Sequence, residues 1–251
     1  MKNKFFKRSV GALFALLFWL LLWQLLAKKA NLHLILPTPG AVFKRLAELV
    51  STPVFYKLLG TSFLRVMWGF SLGLILGFTL GFCASILSPI KVLLEPIMSV
   101  LRATPVASFI LVVLFWTETG RVPGFISLMM VLPIVFQSTL TGFQRRDPSF
   151  EELKAAFRIP PIRGFFNIDL PQVLPFVFSG AKTSLGLSWK AGIAAEVLAL
   201  PKVSVGYMIY NAKMYLETVD LYAWTLAIII FSIALEKILS LIFSGRRWED
   251  A

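Results

Sequence analysis

Long apolar blocks separated by short polar stretches dominate the chain. Each block is close to the roughly 20 residues that a helix needs to cross the hydrocarbon core of a bilayer. Helices are expected there because each backbone polar group must find its hydrogen-bond partner within the segment. The pattern predicts an all-α polytopic membrane protein with about six transmembrane helices, at Ser9–Ala27, Ser62–Leu87, Val92–Phe115, Val122–Gly142, Pro175–Leu200 and Leu221–Phe243.

The first block follows a basic N-terminus, which is also typical of a signal peptide. Its apolar run is longer than that of most signal peptides. In addition, Lys28 and Lys29 follow it where a cleavage site needs small residues. We therefore interpret the block as a retained helix, with a cleaved signal peptide as the alternative.

The segment between the first two blocks predicts a short two-faced helix. Thr38 is placed to cap it, with Pro39 at its first position. Within Ala41–Val50, apolar side chains recur on one face and charged side chains on the other. Such a helix either lies along the membrane interface or packs on neighbouring spans, and the sequence leaves both arrangements open.

Basic residues near the spans predict the orientation, because cytoplasmic loops carry an excess of Lys and Arg. With the N-terminus inside, thirteen basic residues fall on the cytoplasmic side and eight on the opposite side. We therefore expect both termini in the cytoplasm of a multi-pass protein of the cell membrane. The cytoplasmic set is Lys2, Lys4, Lys7, Arg8, Lys91, Arg145, Arg146, Lys154, Arg158, Arg163, Lys182, Arg246 and Arg247.

The longest polar interruption, residues 143–174, predicts a helix outside the membrane on the cytoplasmic side. Asp147 suits the entry to this helix, and Glu151 and Glu152 suit its first turn, where the helix dipole favours acidic side chains. The helix is expected to end before Pro160 and Pro161, which cannot continue it.

Composition narrows the classes of function. The net charge is +12, but most of the basic residues lie between apolar blocks and they do not form a basic run with aromatic residues, so we expect no nucleic-acid binding. The single cysteine, Cys83, and the single histidine, His33, allow neither an internal disulfide nor a metal site rich in these residues. We predict no metal, no cofactor and no enzymatic activity in this chain.

The chain also lacks a phosphate-binding loop. Such a loop requires a Gly-x-x-x-x-Gly-Lys-Ser/Thr run. Lys182 and Thr183 provide the last two residues, but Ala181 stands at the second glycine position and the run opens a membrane span. Energy for any ATP-driven process is therefore expected to come from another polypeptide.

Small residues recur at every fourth position in two of the predicted spans. Such stripes allow close approach of another backbone, which drives helix association in lipid. They predict packing within one bundle, with a role at a dimer interface or a pathway as the alternative. The residues are Gly69, Gly73, Gly77 and Gly81 in the second span and Gly180, Ser184, Ser188 and Gly192 in the fifth.

Three charged residues within spans, Arg102, Lys190 and Glu196, are candidates for a solute pathway or gate. Ionisable side chains are costly in the bilayer and mark functional positions by default. Glu196 continues the small-residue stripe of the fifth span, and Lys190 lies about 120° away from it around the helix. For Lys190 and Glu196, a structural ion pair with other helices is the alternative.

Several motifs, in order along the chain, resemble those of ABC importer permeases of the nitrate/sulfonate/taurine type. Glu152–Arg158 followed by Ile168-Asp-Leu-Pro171 resembles the EAA loop of these proteins. Leu36-Pro-Thr-Pro39, Leu101-Arg-Ala-Thr-Pro105 and Gly186–Glu196 resemble further elements of the same family. The chain departs from the pattern at Arg158, where the family has glycine. We expect the two prolines after it to supply the chain break instead.

The resemblance implies a coupling helix that fits a groove on a cytoplasmic ATPase. Its implied contact residues are Glu152, Ala155, Ala156, Phe157 and Arg158. It also implies a permease homodimer, a dimer of the ABC ATPase and an extracytoplasmic solute-binding protein. The implied solutes are sulfonates, taurine, nitrate or vitamin precursors. The expected domains are an N-terminal span with its outer loop (1–57), a permease core (58–245, coupling loop about 143–174) and a cytoplasmic tail (246–251).

The main rival is a secondary transporter driven by an ion gradient. Such proteins are built from inverted repeats with broken helices around ion-binding groups. The sequence has no evident internal repeat and few acidic residues within spans. An intramembrane enzyme or a structural scaffold explains the pattern less well. An enzyme needs a nucleophile–base pair or a metal cluster. A structural scaffold does not explain the defined cytoplasmic helix.

Overall fold

The computed structural model describes residues 2–29 and 35–244, and these ranges contain helices and no strand. A π-helical turn, Phe165–Asp169, joins the eighth helix to the ninth. The α-helices are α1 (Lys2–Lys29), α2 (Pro39–Val50), α3 (Pro53–Ile86), α4 (Ser88–Ala103), α5 (Val106–Leu114), α6 (Val122–Gln144), α7 (Pro148–Ala156), α8 (Pro161–Gly164), α9 (Leu170–Ala199), α10 (Val205–Met214) and α11 (Thr218–Ser244).

Among the described residues, three helices are long and apolar enough to cross a membrane: α3, α6 and α11. The pair α4 and α5 makes a fourth candidate if it is counted as one broken span. Helix α1, with 28 residues, contains the first predicted block, and helix α9, with 30 residues, overlaps the fifth. The prediction of an all-α polytopic membrane protein is confirmed.

The third apolar block is not the single straight span that its length predicts. Helices α4 and α5 meet at an angle of 102°. The break lies at Thr104, whose extended backbone follows from the restriction that Pro105 places on the preceding residue. Arg102 lies exposed in the last turn of α4, just before this break. Further back in α4, Glu95 pairs with Lys91 at 3.7 Å.

The helices belong to two compact units, and the first comprises Met1–Lys57 and Met208–Ile229. Its outer-loop helix, α2, begins as predicted, because the Thr38 side chain accepts a hydrogen bond from the Ala41 N–H. Arg45 on α2 forms a salt bridge with Asp220 (Nε–Oδ1 2.6 Å). The rings of Phe55 and Trp224 stack with their centroids 5.4 Å apart.

The second unit comprises Leu58–Tyr207 and Ile230–Ala251. Helix α6 lies at its centre, with most of its side chains buried. The glycine stripe of α3 lies against α6. A Cβ built on Gly73 or Gly77 would lie 2.8 Å from Cβ of Val131 or Val135, which leaves no room for a side chain. Gly69 and Gly81 also face α6, next to Gly124 and to Phe136 and Thr139.

The small-residue stripe of α9 is buried in the same unit. Gly180 lies against Ser138 of α6, and Gly192 lies against Val66 of α3. Between them, the hydroxyls of Ser184 and Ser188 donate to carbonyls of their own helix. These contacts fix the face that α9 turns towards the core, and they leave the opposite face exposed.

Candidate functional site

Helix α7 has well-defined ends. Asp147 caps it by accepting a hydrogen bond from the Ser149 N–H at 2.9 Å, and Pro148 occupies the first helical position. The hydrogen bonds from Ser149 lower the pKa of Asp147. This cap therefore contributes stability above the ordinary pKa of 3.8, and its contribution is lost as the pH falls through the lowered pKa.

Arg158, and not the proline pair, ends α7. Its φ of 49° lies in the left-handed region that favours glycine, so the residue at the family's glycine position keeps the conformation of glycine. The N–H of Ile159 donates to the Lys154 carbonyl at 3.0 Å, and the N–H of Arg158 donates to the Ala155 carbonyl at 3.2 Å. This is a Schellman motif. The expectation that Pro160 and Pro161 replace the glycine break is wrong.

Helix α7 presents an open surface, since none of its nine residues is buried. Glu152, Ala155 and Ala156 are all exposed, and the Phe157 ring that follows is 75% exposed. Exposed aromatic and short side chains next to each other provide both an anchor and room for close approach. The five residues that the sequence singled out in this loop lie together on this surface.

A network of four charged residues holds α7 to the start of α9. Arg146 and Lys154 each contact Asp169, at 2.8 and 3.0 Å, and each also contacts Glu151, at 3.1 and 2.8 Å. Asp169 is buried at the end of the π-helical turn that leads into α9. Each acidic side chain of the network therefore lies between two basic ones. A network of this kind has more effect than isolated surface pairs.

The position of Lys154 in this network changes its titration. Burial lowers the pKa of Lys154, but its hydrogen bonds to Glu151 and Asp169 and their charges outweigh burial, so the pKa is raised above 10.5. The stabilising contribution is complete below the ordinary pKa and is lost only as the pH rises through the raised value. The network therefore keeps Lys154 charged to a higher pH than an isolated lysine would be.

Aromatic rings attach the same segment to the core of the second unit. Phe165, the first residue of the π-helical turn, lies 5.2 Å from Phe82 of α3 and 6.4 Å from Phe143 of α6, centroid to centroid. The guanidinium of Arg146 lies 5.4 Å from the centroid of the Phe143 ring. The segments on either side of α7 therefore pack against α3 and α6, and α7 itself is held between them by the charge pairs of Glu151 and Lys154.

Glu196 is fully buried near the other end of α9 and has its partners on neighbouring segments. Ser62 donates to its Oε2 at 2.7 Å, and Arg65 pairs with its Oε1 at 3.5 Å. The backbone N–H of Gly206, at the start of α10, also donates to Oε2, at 3.2 Å. A carboxylate at a helix N-terminus is favourable because the N–H groups there are otherwise unpaired.

The structure does not bring the three pathway candidates together. Glu196 is enclosed in the contacts just described, which favours its structural role. Lys190 is exposed on α9, and Arg102 is exposed at the end of α4. No described carboxylate forms a salt bridge with either of these two bases.

Sequence reasoning missed the partners that make these arrangements. Arg146 and Asp169 are 23 positions apart, and only the fold shows that they meet. Arg65, near the start of the second predicted span, bridges Glu196 and the Val203 carbonyl, the latter at 2.7 Å. One signal was available for Asp169, since it lies inside the Ile168–Pro171 motif.

Comparison with known proteins gives a consistent result. Over 228 residues the chain is 27% identical to the bicarbonate transport system permease protein CmpB of Synechocystis sp., covering 84% of this chain and 80% of the relative. It is 29% identical over 204 residues to the nitrate import permease protein NrtB of the same organism (77% and 73% covered). It is 24% identical over 237 residues to the taurine transport system permease protein TauC of Escherichia coli (91% and 84% covered).

A family model described as the inner membrane component of binding-protein-dependent transport systems matches residues 69–244. The match includes α6, the whole α7 segment with its charge network, and α9 with the buried Glu196. It covers well over half of the chain. The protein therefore belongs to the family of inner membrane components of binding-protein-dependent transport systems, which are transport permeases.

Proposed function

We propose that this chain is the permease subunit of an ATP-binding-cassette importer and couples to a cytoplasmic ATPase through α7. The proposal depends on α7 having an open surface and being tied to its neighbours on both sides. None of its residues is buried, and two salt bridges join it to the segments beside it, Glu151 to Arg146 after α6 and Lys154 to Asp169 before α9. Such a helix is suited to transmit force from a partner to the spans.

Each exposed residue of this surface has a specific role in the proposal. Ala155 and Ala156 permit close approach of the ATPase, and the Phe157 ring enters an apolar pocket on it. Glu152 and Arg158 form charge pairs that set the register. The left-handed backbone of Arg158 supports this arrangement, because it turns the chain immediately after the contact helix.

The proposed assembly contains two copies of this chain, two ATPase subunits and an external solute-binding protein. Both termini and α7 lie on the cytoplasmic side, and lipid surrounds the spans. The proposed division of the chain is an N-terminal span with its outer loop (1–57), a permease core (58–245) and a cytoplasmic tail (246–251). The tail lies outside the described residues.

The proposed solute is small and similar to the solutes of the relatives. Their names refer to bicarbonate, nitrate, aliphatic sulfonates and taurine. The first three are anions at neutral pH, and taurine carries a sulfonate group. We propose that this chain transports a nitrate-, sulfonate- or taurine-like solute, with a vitamin precursor as the alternative.

Capture of the ATPase tests this function. The tagged chain is purified from its native membranes in a mild detergent, beside Glu152→Arg and a matched variant, Glu118→Arg. Glu118 is also an exposed acid, but it lies in the loop between α5 and α6. We expect a P-loop ATPase to co-purify with the unaltered chain and with Glu118→Arg, and its yield to fall at least tenfold with Glu152→Arg.

Two results would count against the proposal. If a well-folded chain captures no ATPase with or without nucleotide, a gradient-driven transporter becomes the better interpretation. If both charge reversals reduce capture equally, an ATPase partner remains but α7 is not its contact surface.

A further inference from the structure

The exposed face of α9 carries a lysine nine residues before the end of the helix. It consists of a stripe of residues Ser179, Thr183, Leu187, Lys190 and Ala194, which we call the α9 stripe. The exposed positions at the middle of α3 are uncharged, with large apolar side chains such as Trp68 and Ile75 beside the hydroxyls of Ser71 and Thr79. Helix α11 exposes Ile230 and Ile233 and, nearer its C-terminal end, Glu236 and Lys237. Hydroxyls that donate to their own helix are tolerated in lipid, whereas a lysine ammonium group is costly there.

Lys190 cannot turn away from this face. Its neighbour Trp189 is buried, with its ring 4.9 Å from that of Phe231, and the next residue, Ala191, is buried as well. Six residues further on, the contacts of Glu196 fix the same helix again. The rotation of α9 about its own axis is therefore fixed by residues before and after Lys190 in the chain.

Lys190 is also too deep to reach the membrane surface. It lies nine residues before the end of α9, about 14 Å along the axis, which is close to half the thickness of the hydrocarbon core. Lysines near helix ends extend their amines to the interface, but this one starts near the middle. Its ammonium group therefore needs water or an anion beside it.

A carboxylate on the neighbouring helix lies in the same region but forms no salt bridge with Lys190. Glu236 of α11 lies beside Gly186, one turn from Lys190, where a Cβ on the glycine would be 2.5 Å from its Oε1. Among the residues that the structure describes, no salt bridge joins Lys190 to this or another acid. Lys182, eight residues before Lys190, adds a second positive charge, with its amine 3.4 Å from the Ser240 hydroxyl.

We propose that the α9 stripe lines the water-filled solute pathway and that Lys190 favours anionic solutes by its charge at mid-membrane depth. This inference rests on the proposed permease function and adds to it the residue that selects solutes by their charge. A positive charge in a narrow, water-filled passage of low surrounding dielectric attracts anions and repels cations. The second copy of the chain would complete the passage on the side that the stripe leaves open.

Thiol chemistry tests the inference without knowledge of the solute. In a Cys83→Ala background, Ala194→Cys places a thiol one helical turn from Lys190. The full chain with its captured ATPase is reconstituted in liposomes and treated with two methanethiosulfonate reagents, one carrying a sulfonate and one a quaternary ammonium group. The reaction rates are measured without nucleotide and with ATP, so that both orientations of the pathway are sampled.

We expect both reagents to react at Ala194→Cys and the anionic reagent to react faster than the cationic one. Adding Lys190→Met should lower the anionic-to-cationic rate ratio about fivefold or more, as expected for a unit charge roughly 7 Å away. Lys190→Arg should preserve the ratio, and so should Lys237→Met on α11. A thiol from Ile230→Cys, on the apolar face of α11, should react with neither reagent.

Two outcomes overturn the inference while leaving the permease function standing. If Ala194→Cys reacts with neither reagent in either nucleotide state although the chain still captures its ATPase, the stripe is covered by protein. If the thiol reacts but Lys190→Met leaves the rate ratio unchanged, the stripe is in water but Lys190 does not select by charge. Loss of ATPase capture by the unaltered chain would instead contradict the function itself.

Discussion

At the residue scale, Glu196 shows how a buried charge is tolerated in this fold. Its carboxylate accepts hydrogen bonds from the Ser62 hydroxyl and the Gly206 N–H and faces the Arg65 guanidinium. Gly206 is required there, because a Cβ would collide with the backbone and side chain of Glu196. The contacts of Glu196 join α9 to α3 and to the start of α10. Loss of this carboxylate therefore affects three segments together.

Removal of Arg65 is expected to be costly, because it leaves a buried carboxylate without its counter-charge. Arg65→Met should lower the free energy of unfolding by about 3 kcal/mol. The double variant with Glu196→Gln should recover part of this loss. Melting curves of the chain in detergent provide the measurement. Arg121→Met is the control, since its partner Glu118 is exposed and the expected cost is below about 1 kcal/mol.

Arg158 adopts a backbone conformation that disfavours side chains, with φ at 49°. Arg158→Gly should therefore stabilise the end of α7 by up to about 1 kcal/mol and slow hydrogen exchange of its amides. Arg158→Ala removes the same charge but retains a Cβ, so it should give no such gain. Equal exchange rates in the two variants would show that the backbone is not strained at this position.

At the scale of elements, α7 depends on charges outside its own sequence. Asp169 lies at the end of the π-helical turn, yet it holds both Arg146 and Lys154. This arrangement explains how a nine-residue helix is kept in one place, since isolated helices of this length are marginal in water. The network also gives α9 and α7 a common anchor.

The variant Asp169→Asn keeps the shape of the side chain and removes its charge. We expect faster hydrogen exchange throughout α7, by an amount equivalent to about 1–3 kcal/mol, and weaker capture of the ATPase. Glu95→Gln, in the more exposed pair with Lys91, should change neither quantity. Unchanged exchange in Asp169→Asn would mean that the network does not hold the helix.

The glycine stripe of α3 allows a matched comparison within one helix. Gly77→Ala should destabilise the chain, because the new Cβ would lie 2.8 Å from Cβ of Val135. Gly60→Ala should be neutral or stabilising by up to about 1 kcal/mol, since nothing lies within 4 Å of its added Cβ and alanine favours helix. Melting temperatures that fall equally in both variants would contradict the packing of α3 on α6.

At the scale of the whole molecule, α9 connects two different ends of the second unit. Asp169 and the charge network lie before its first residue, and Glu196 lies near its last turn. About 40 Å of helix separates them. With the proposed orientation, the first end contacts the ATPase and the second lies at the outer face.

The orientation itself has a direct test. In the Cys83→Ala background, a thiol from Arg163→Cys, near α7, should react with a membrane-impermeant maleimide only after the membrane is opened. A thiol from Val203→Cys, after α9, should react in intact cells. Both positions are exposed in the structure. The opposite labelling pattern would place the termini outside and would remove α7 from the side where ATP is available.

The sequence by itself determined the features that depend on local chemistry. Block length and apolar content specified a helical membrane protein, because a bilayer admits few other structures. Thr38 and Asp147 marked the starts of α2 and α7, since a side-chain cap acts within a few residues of its helix. The motif order also indicated the family, and the family match supports it.

Only the tertiary structure decided what depends on partners far apart in the chain. It joined Asp169 to Arg146 and Lys154, and it enclosed Glu196 with Ser62 and Arg65. It also showed that Glu196 is enclosed by protein, whereas Lys190 is exposed on another face of the same helix. The sequence did not indicate which of the two charges is enclosed. Their environments differ because packing buries one face of α9 and leaves the other open, and a one-dimensional pattern does not identify what lies opposite each face.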